Sequence, residues 1–83
     1  MVNKIEESVV VAAIFGRKPT PRPVWFIWHG RCYRIENITY TWTDREGRAK
    51  RYHFSVTDGA DLYELYYHSR HLSWQLVAVE TQG

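Results

Sequence analysis

The sequence predicts an all-β protein: one small domain built as a six-stranded, strongly bent antiparallel meander, either barrel-like or a half-open roll. Two observations lead to this fold class. Short runs rich in Tyr, Trp, Val, Ile and Thr follow one another from residue 25 to residue 79. Turn sequences such as His29-Gly30 and Asp58-Gly59 separate these runs and suit tight hairpins, so the connections are local.

Size and composition limit what the chain can be. Its 83 residues form a single domain, 1–83, with 1–6 and 81–83 expected to fray. Thirteen aromatic residues compensate for the modest core of so short a chain. No apolar run approaches the roughly 18 residues that span a bilayer, so no membrane partner is expected.

The compartment follows from the N-terminus and from cysteine usage. Lys4 is followed by two glutamates, and the apolar run 9–15 is short, which does not match an export signal. The single Cys32 cannot form an internal disulfide. We therefore expect a cytoplasmic protein.

The first element is the one place where helix and strand compete. Residues 5–15 contain a helical stripe that includes Ile5 and Ala12, but three consecutive valines at 9–11 favour a strand. A strand is the predicted choice. Residues 16–23 then form a loop, because three prolines fix the backbone and remove hydrogen-bond donors.

The second strand covers 25–28, and the third runs from 31 to 43 after the His29-Gly30 turn. The alternation of the third strand changes parity in its middle, which predicts a bulge near Glu36-Asn37. The first strand is expected to close against a late strand. Alternation along the last three strands predicts the core residues Tyr52, Phe54, Val56, Tyr63, Leu65, Tyr67, Trp74, Leu76 and Ala78.

From residue 23 onward the chain resembles a known family. The residues that carry the likeness are 23–35 (PVWFIWHGRCYRI), Trp42, 52–56 (YHFSV), 62–66 (LYELY) and 74–76 (WQL). They resemble a small bacterial β domain of unknown function that also occurs beside Y-family-like DNA polymerases. The resemblance implies a bacterial, cytoplasmic β domain, and contact with nucleic acid by analogy alone.

The sequence contains no strong catalytic, metal or cofactor motif. No serine lies in a nucleophile elbow, and no glycine-rich loop opens a helix to hold phosphate. Cys32 is expected to pack, and His68 with His71 to form a polar turn instead of a metal site. We therefore predict no enzyme, no metal and no cofactor.

Charge is distributed unevenly along the chain. Residues 1–15 carry −1, residues 16–55 carry +6 and residues 56–83 carry −3. A basic segment that contains aromatic residues is typical of proteins that bind single-stranded nucleic acid. The predicted contacts are Arg34, Arg48, Lys50 and Arg51 for phosphates, with Trp28 and Tyr66 for stacking on bases.

Two alternatives stay open at this point. Outward cations also keep sheet edges soluble, and the basic and acidic segments can neutralise each other in the fold. The chain can also serve as a protein-interaction or homodimerisation domain, with surface aromatics and an exposed first strand as the contact surface.

Overall fold

The computed structural model describes residues 1–81, which form seven β-strands and no helix. These residues therefore contain no helix that could cross a membrane. The strands are β1 Val2–Ile14, β2 Arg22–Trp28, β3 Arg31–Arg34, β4 Asn37–Glu46, β5 Ala49–Thr57, β6 Leu62–His68 and β7 Ser73–Glu80. They make one antiparallel sheet in the order β3-β2-β1-β7-β6-β5-β4. The all-β, antiparallel prediction is confirmed.

The long strand β1 joins two parts of this sheet. Its first part pairs with β7, from Val2 opposite Glu80 to Val9 opposite Trp74. Its last part pairs with β2, beginning with Val10 opposite Ile27. The strand predicted for 5–15 is thus present and closes against a late strand. β1 begins at Val2, so residues 2–6, for which the sequence predicts fraying, lie in the sheet. At the other end, residues 82 and 83 of the predicted frayed segment lie outside the described residues.

β1 is also an interior strand, with β2 on one side and β7 on the other. Val9 and Val11 pack against the core, whereas Val10 is exposed. The alternative in which strand one adds to a sheet of another chain requires a free strand edge. Residues 2–9 pair with β7 and residues 10–14 with β2, so each part of β1 is paired on one side only and this alternative remains a prediction.

The prediction of six strands is wrong, because the run predicted as one strand over 31–43 is two. The chain leaves β3 at Ile35, whose N–H donates to the carbonyl of Val24 at 2.9 Å. The next N–H, of Glu36, donates to the carbonyl of Thr57 at 2.8 Å. The parity change that predicted a bulge therefore marks a change of partner: β3 pairs with β2, and β4 pairs with β5.

This change of partner leaves the sheet open. β3 and β4 are consecutive in the chain but form its two opposite edges, and no pairing joins them in residues 1–81. The sheet is not closed into a barrel. A closed barrel would have no edge strands, whereas this sheet has two.

The core lies on the face of the sheet that carries Phe26, Phe54, Leu65 and Leu76, all 0–2% exposed. Eight of the nine predicted core residues are buried or packed against this cluster. Ala78 is the exception, and Val79 takes its place. The reason is an irregularity between β6 and β7: Glu64 pairs with Ala78 but Leu65 with Leu76, so the extra residue changes the alternation.

Candidate nucleic-acid interface

The two predicted stacking residues lie on opposite faces of the sheet. Trp28 shares the core face with Phe26, and it is half-buried against the core and 6.0 Å from the Tyr33 ring. Tyr66 follows the core residue Leu65 and so lies on the other face, which we call the outer face. One strand of nucleic acid bound to a single face therefore cannot stack on both rings.

Arg51 and Tyr66 are brought together, but Arg51 is already neutralised. Its guanidinium carbon lies 5.2 Å from the Tyr66 ring centroid. Its Nε and Nη2 atoms donate to the two carboxylate oxygens of Asp44 at 2.7 and 2.6 Å. Oε2 of Glu46 also lies 3.6 Å from Nη1 of Arg51. A cation held by two carboxylates is poorly suited to bind phosphate.

The pairing of Arg51 with Asp44 changes the proton affinity of both groups. The hydrogen bonds from Arg51 lower the pKa of Asp44 from 3.8 to about 2, against the opposing effect of burial. The same bonds to Asp44 raise the pKa of Arg51 above its ordinary value. Both shifts stabilise the charged forms, so the pair holds the β4–β5 hairpin together.

A row of rings crosses the outer face beside this pair. The centroid of Trp42 is 5.5 Å from that of Tyr40 and 5.0 Å from that of His53, and His53 is 5.3 Å from Tyr66. His53 lies on the outer face, yet it is only 6% exposed because rings flank it. Its Nε2 lies 3.0 Å from Asp44 Oδ1, but neither ring nitrogen has a partner with hydrogen-bond geometry.

The other two hairpin cations occupy different surroundings. Arg48 is exposed in the turn between β4 and β5. Lys50 alternates with Arg51 and so lies on the opposite face, where its Nζ atom is 5.2 Å from the Tyr52 ring. The pleat of β5 therefore places Lys50 and Arg51 on opposite faces, while Arg48 lies outside the strand.

Arg34, the remaining predicted phosphate contact, lies at the other edge of the sheet. It is exposed on β3 directly opposite Trp25 of β2, which in turn pairs with Ala12 of β1. The adjacent row contains Val10, Ile27 and Cys32, also paired in register. All three are exposed, Val10 by 63% and Ile27 by 39%, so the prediction that Cys32 packs is wrong.

These placements divide the molecule into two halves of different charge. Residues 8–35, here called the basic half, contain the end of β1, the proline loop, β2 and β3. They carry five cations and no carboxylate: Arg17, Lys18, Arg22, Arg31 and Arg34. Residues 1–7 and 36–83, the mixed half, carry six cations against nine carboxylates, a net charge of −3.

One ion pair crosses this division: Nε2 of His29, in the basic half, lies 3.2 Å from Oε1 of Glu7. Every cation in an ion pair that residues 1–81 form is either Arg51 or a histidine. Arg22 and Arg34 are both exposed and neither is in an ion pair. The cations of the basic half are thus available to an anion from outside the chain.

Sequence reasoning missed Trp25 and Arg22 as surface residues of this half. The sequence alone is sufficient to place Trp25, because a two-residue turn at His29-Gly30 sets the register that pairs Trp25 with Arg34. Both turn residues have positive φ, 50° and 74°, as such a turn requires. With Phe26 in the core, alternation then places Trp25 on the outer face.

Surface grooves of about 230–270 Å³ lie among the described residues, and the 270 Å³ one contains Arg51, His53, Glu64 and Tyr66. Among the described residues, no three His, Cys, Asp or Glu side chains are grouped to hold a metal. His68 and His71 stack at 4.0 Å in the turn before β7.

Comparison with known proteins found no match for this chain among family models, curated proteins or solved structures. The site is therefore interpreted from its own geometry.

Proposed function

We propose that this chain is a non-enzymatic binding module that contacts single-stranded nucleic acid through the outer face of its basic half. The observation that carries the proposal is that residues 8–35 carry five cations and no carboxylate. Of these cations, Arg34 lies on the outer face beside Trp25, whereas Arg31 lies opposite Trp28 on the core face, 5.5 Å from the Tyr33 ring. None of the five cations forms an ion pair within residues 1–81. A polyanion would supply the missing counter-charges and release its own counterions on binding.

The neighbours of Arg34 support a strand of unpaired bases as the ligand. Trp25 lies directly beside Arg34, so a ring for stacking and a cation for phosphate are adjacent. A base stacked on an aromatic side chain contributes about 1–3 kcal/mol. Val10 and Ile27 extend this surface with exposed apolar groups, which the flat faces of bases can cover. Double-stranded nucleic acid keeps those faces stacked inside the helix.

The roles of the six predicted residues change accordingly. Arg34 keeps the phosphate role, and Arg22 joins it. Trp25 takes the stacking role in place of Trp28, which packs against the core. Arg51 is assigned to the stability of the hairpin, since Asp44 and Glu46 already neutralise it.

The resemblance of residues 23–76 to a domain found beside Y-family-like DNA polymerases supports the same ligand class by analogy. Those residues include all of β3 and all of β2 except Arg22, and so contain Trp25 and Arg34.

The test is the salt dependence of binding to a fluorescently labelled oligothymidylate, which has no structure of its own. Each phosphate contact to a single strand contributes about 0.7 to the slope of log K against log salt. The double variant Arg22→Ala/Arg34→Ala should therefore reduce the slope by about 1.4. The matched control, Arg48→Ala/Lys50→Ala, removes the same charge from the mixed half and should leave the slope unchanged.

Two results would contradict the proposal in different ways. If the wild-type chain does not bind the oligonucleotide even at low salt, the ligand class is wrong. If the control pair flattens the slope as much as the first pair, the binding surface is not the basic half.

A further inference from the structure

We infer that the β4 edge of the sheet is a homodimer interface, in which β4 pairs antiparallel with β4 of a second copy of this chain. β4 is the edge opposite β3 in the strand order, and this pairing does not depend on nucleic-acid binding. The inference rests on the length and composition of β4, and on how β4 compares with the edge strand at the other side.

β4 is a long edge strand, and its first two residues line a groove with Arg22 and Val24. It spans ten residues, and within residues 1–81 only β5 pairs with it. Alternate residues of an edge strand direct N–H and C=O groups away from the sheet, and these groups form a ready template for another strand. Tyr40, in the middle of this segment, is 65% exposed.

Its composition does not block pairing. Natural edge strands are usually protected by Lys, Pro, a short length or a bulge. Residues 37–43 (NITYTWT) contain no charge, no proline and no glycine, and they are rich in residues that favour strands. One irregularity is present, a register shift between Ile38 and Tyr40, which leaves residues 40–46 regular.

The opposite edge has the usual protection. β3 is only four residues long, and two of them are arginines, Arg31 and Arg34. A head-to-tail contact between β4 and β3 of a second copy would pair at most the four residues of β3, and it would close only if several copies formed a ring. Pairing of β4 with its own copy closes after two chains, which is the commonest symmetry of homo-oligomers.

The sequence of β4 is complementary to itself in the antiparallel direction. With the twofold axis at Trp42, Thr41 lies opposite Thr43 of the second copy, and the two Trp42 side chains face each other. Aromatic pairs and threonine pairs are favourable cross-strand neighbours. The charged residues 44–46 then lie opposite residues 38–40 of the second copy, so no like charges meet. In this register, the row of rings on the outer face of one copy continues into the same row of the second copy.

The test is sedimentation equilibrium over a wide range of protein concentration. The wild-type chain should dimerise, and Thr41→Lys/Thr43→Lys should weaken the dimer about tenfold or more, because it places lysines opposite each other. Thr41→Glu/Thr43→Glu should do the same. A mixture of the two variants should associate again, because each lysine now faces a glutamate. Asn3→Lys/Thr20→Lys, which adds the same charge at exposed positions away from this edge, should dimerise like wild type.

A chain that stays monomeric at high concentration overturns the inference. So does a dimer that the lysine pair leaves intact, or one that is not restored in the mixture. Circular dichroism of each variant separates loss of the interface from loss of the fold, and the mixed sample cannot associate selectively if either variant is unfolded.

Discussion

The two halves of the sheet use the same type of side chain for different purposes. In the mixed half, Arg51 is held by Asp44 and Glu46 and contributes to the hairpin. In the basic half, Arg22 and Arg34 have no such partner and remain exposed. The number of arginines therefore does not identify a binding surface. What matters is whether carboxylates lie close enough to neutralise each arginine.

The halves also differ in how they contribute to the core. The buried hydrophobic core consists mostly of side chains from the mixed half, but residues 8–35 contribute the fully buried Phe26, and Pro21 and Pro23 are fully buried as well. Phe26 lies 5.1 Å from the Tyr33 ring and 5.2 Å from the Tyr63 ring, so it joins β2 and β3 to β6. Phe26 is one of several contacts that attach the basic half, because further partly buried residues of this half pack against the same core: Val9, Val11, Ala13, Trp28, Tyr33 and Ile35.

Removing the Phe26 ring should have the largest effect on stability of the substitutions considered. Phe26→Ala should lower the free energy of unfolding by about 3–5 kcal/mol, because it removes a fully buried ring and leaves a cavity. Urea unfolding measures the total loss. Hydrogen exchange should show faster opening of β2 and β3 than of β6, and Phe54→Ala serves as the control within the mixed half. Equal acceleration in all strands would show that the halves open together.

The second comparison concerns the arginines. Arg51→Ala should cost about 1–2 kcal/mol of stability, since it breaks two charge-assisted hydrogen bonds in a partly exposed site. Arg34→Ala should change stability by less than about 0.5 kcal/mol, because the residue is exposed and unpaired. Thermal unfolding of both variants checks this. If Arg34→Ala is the more damaging, the division into structural and free arginines is wrong.

The smallest predicted effect is the loss of stability at low pH, when Asp44 becomes protonated. The pKa of Asp44 falls from 3.8 to about 2 on folding, so its ionised form stabilises the fold above about pH 4 and loses this effect as the pH falls towards 2. Because Asp44 is 40% exposed, we expect a contribution of only about 1 kcal/mol.

Urea unfolding of wild type and Asp44→Asn at several pH values measures this contribution. The difference in stability should be present at pH 6 and should nearly vanish at pH 2. Glu36→Gln, an exposed carboxylate outside any ion pair among residues 1–81, is the control and should show no such change. A difference that persists at pH 2 would mean that the charge of Asp44 is not what stabilises the hairpin.

A second acidic site shows that a hydrogen-bonded carboxylate also organises the turn between β5 and β6. Burial raises the pKa of Asp58, but backbone N–H groups of Asp61 and Ala60 and the Tyr63 hydroxyl donate to it and lower the pKa overall. Burial, and then the bond to Asp58, raise the pKa of Tyr63. The Asp58-Gly59 turn predicted from the sequence is thus fixed by its own aspartate, and Gly59 has φ of 97°.

Local features were the ones that the sequence predicted well. The period of two along β5 and β6 identified Tyr52, Phe54, Val56, Tyr63 and Leu65 as core residues because it depends only on neighbours in the chain. The net charge of each segment could be counted directly. The face of Trp25 and its pairing with Arg34 could also have been derived, from one turn and one alternation.

Tertiary structure decided the features that depend on distant residues. Residues 31–43 form two strands because Val24 and Thr57, far apart in sequence, each bind a backbone N–H at the break. Val79 replaces Ala78 in the core because of where β7 pairs with β6. Which strands become neighbours is set by packing across the whole sheet, and this choice separates Trp28 from Tyr66 and leaves Arg34 free while Arg51 is neutralised.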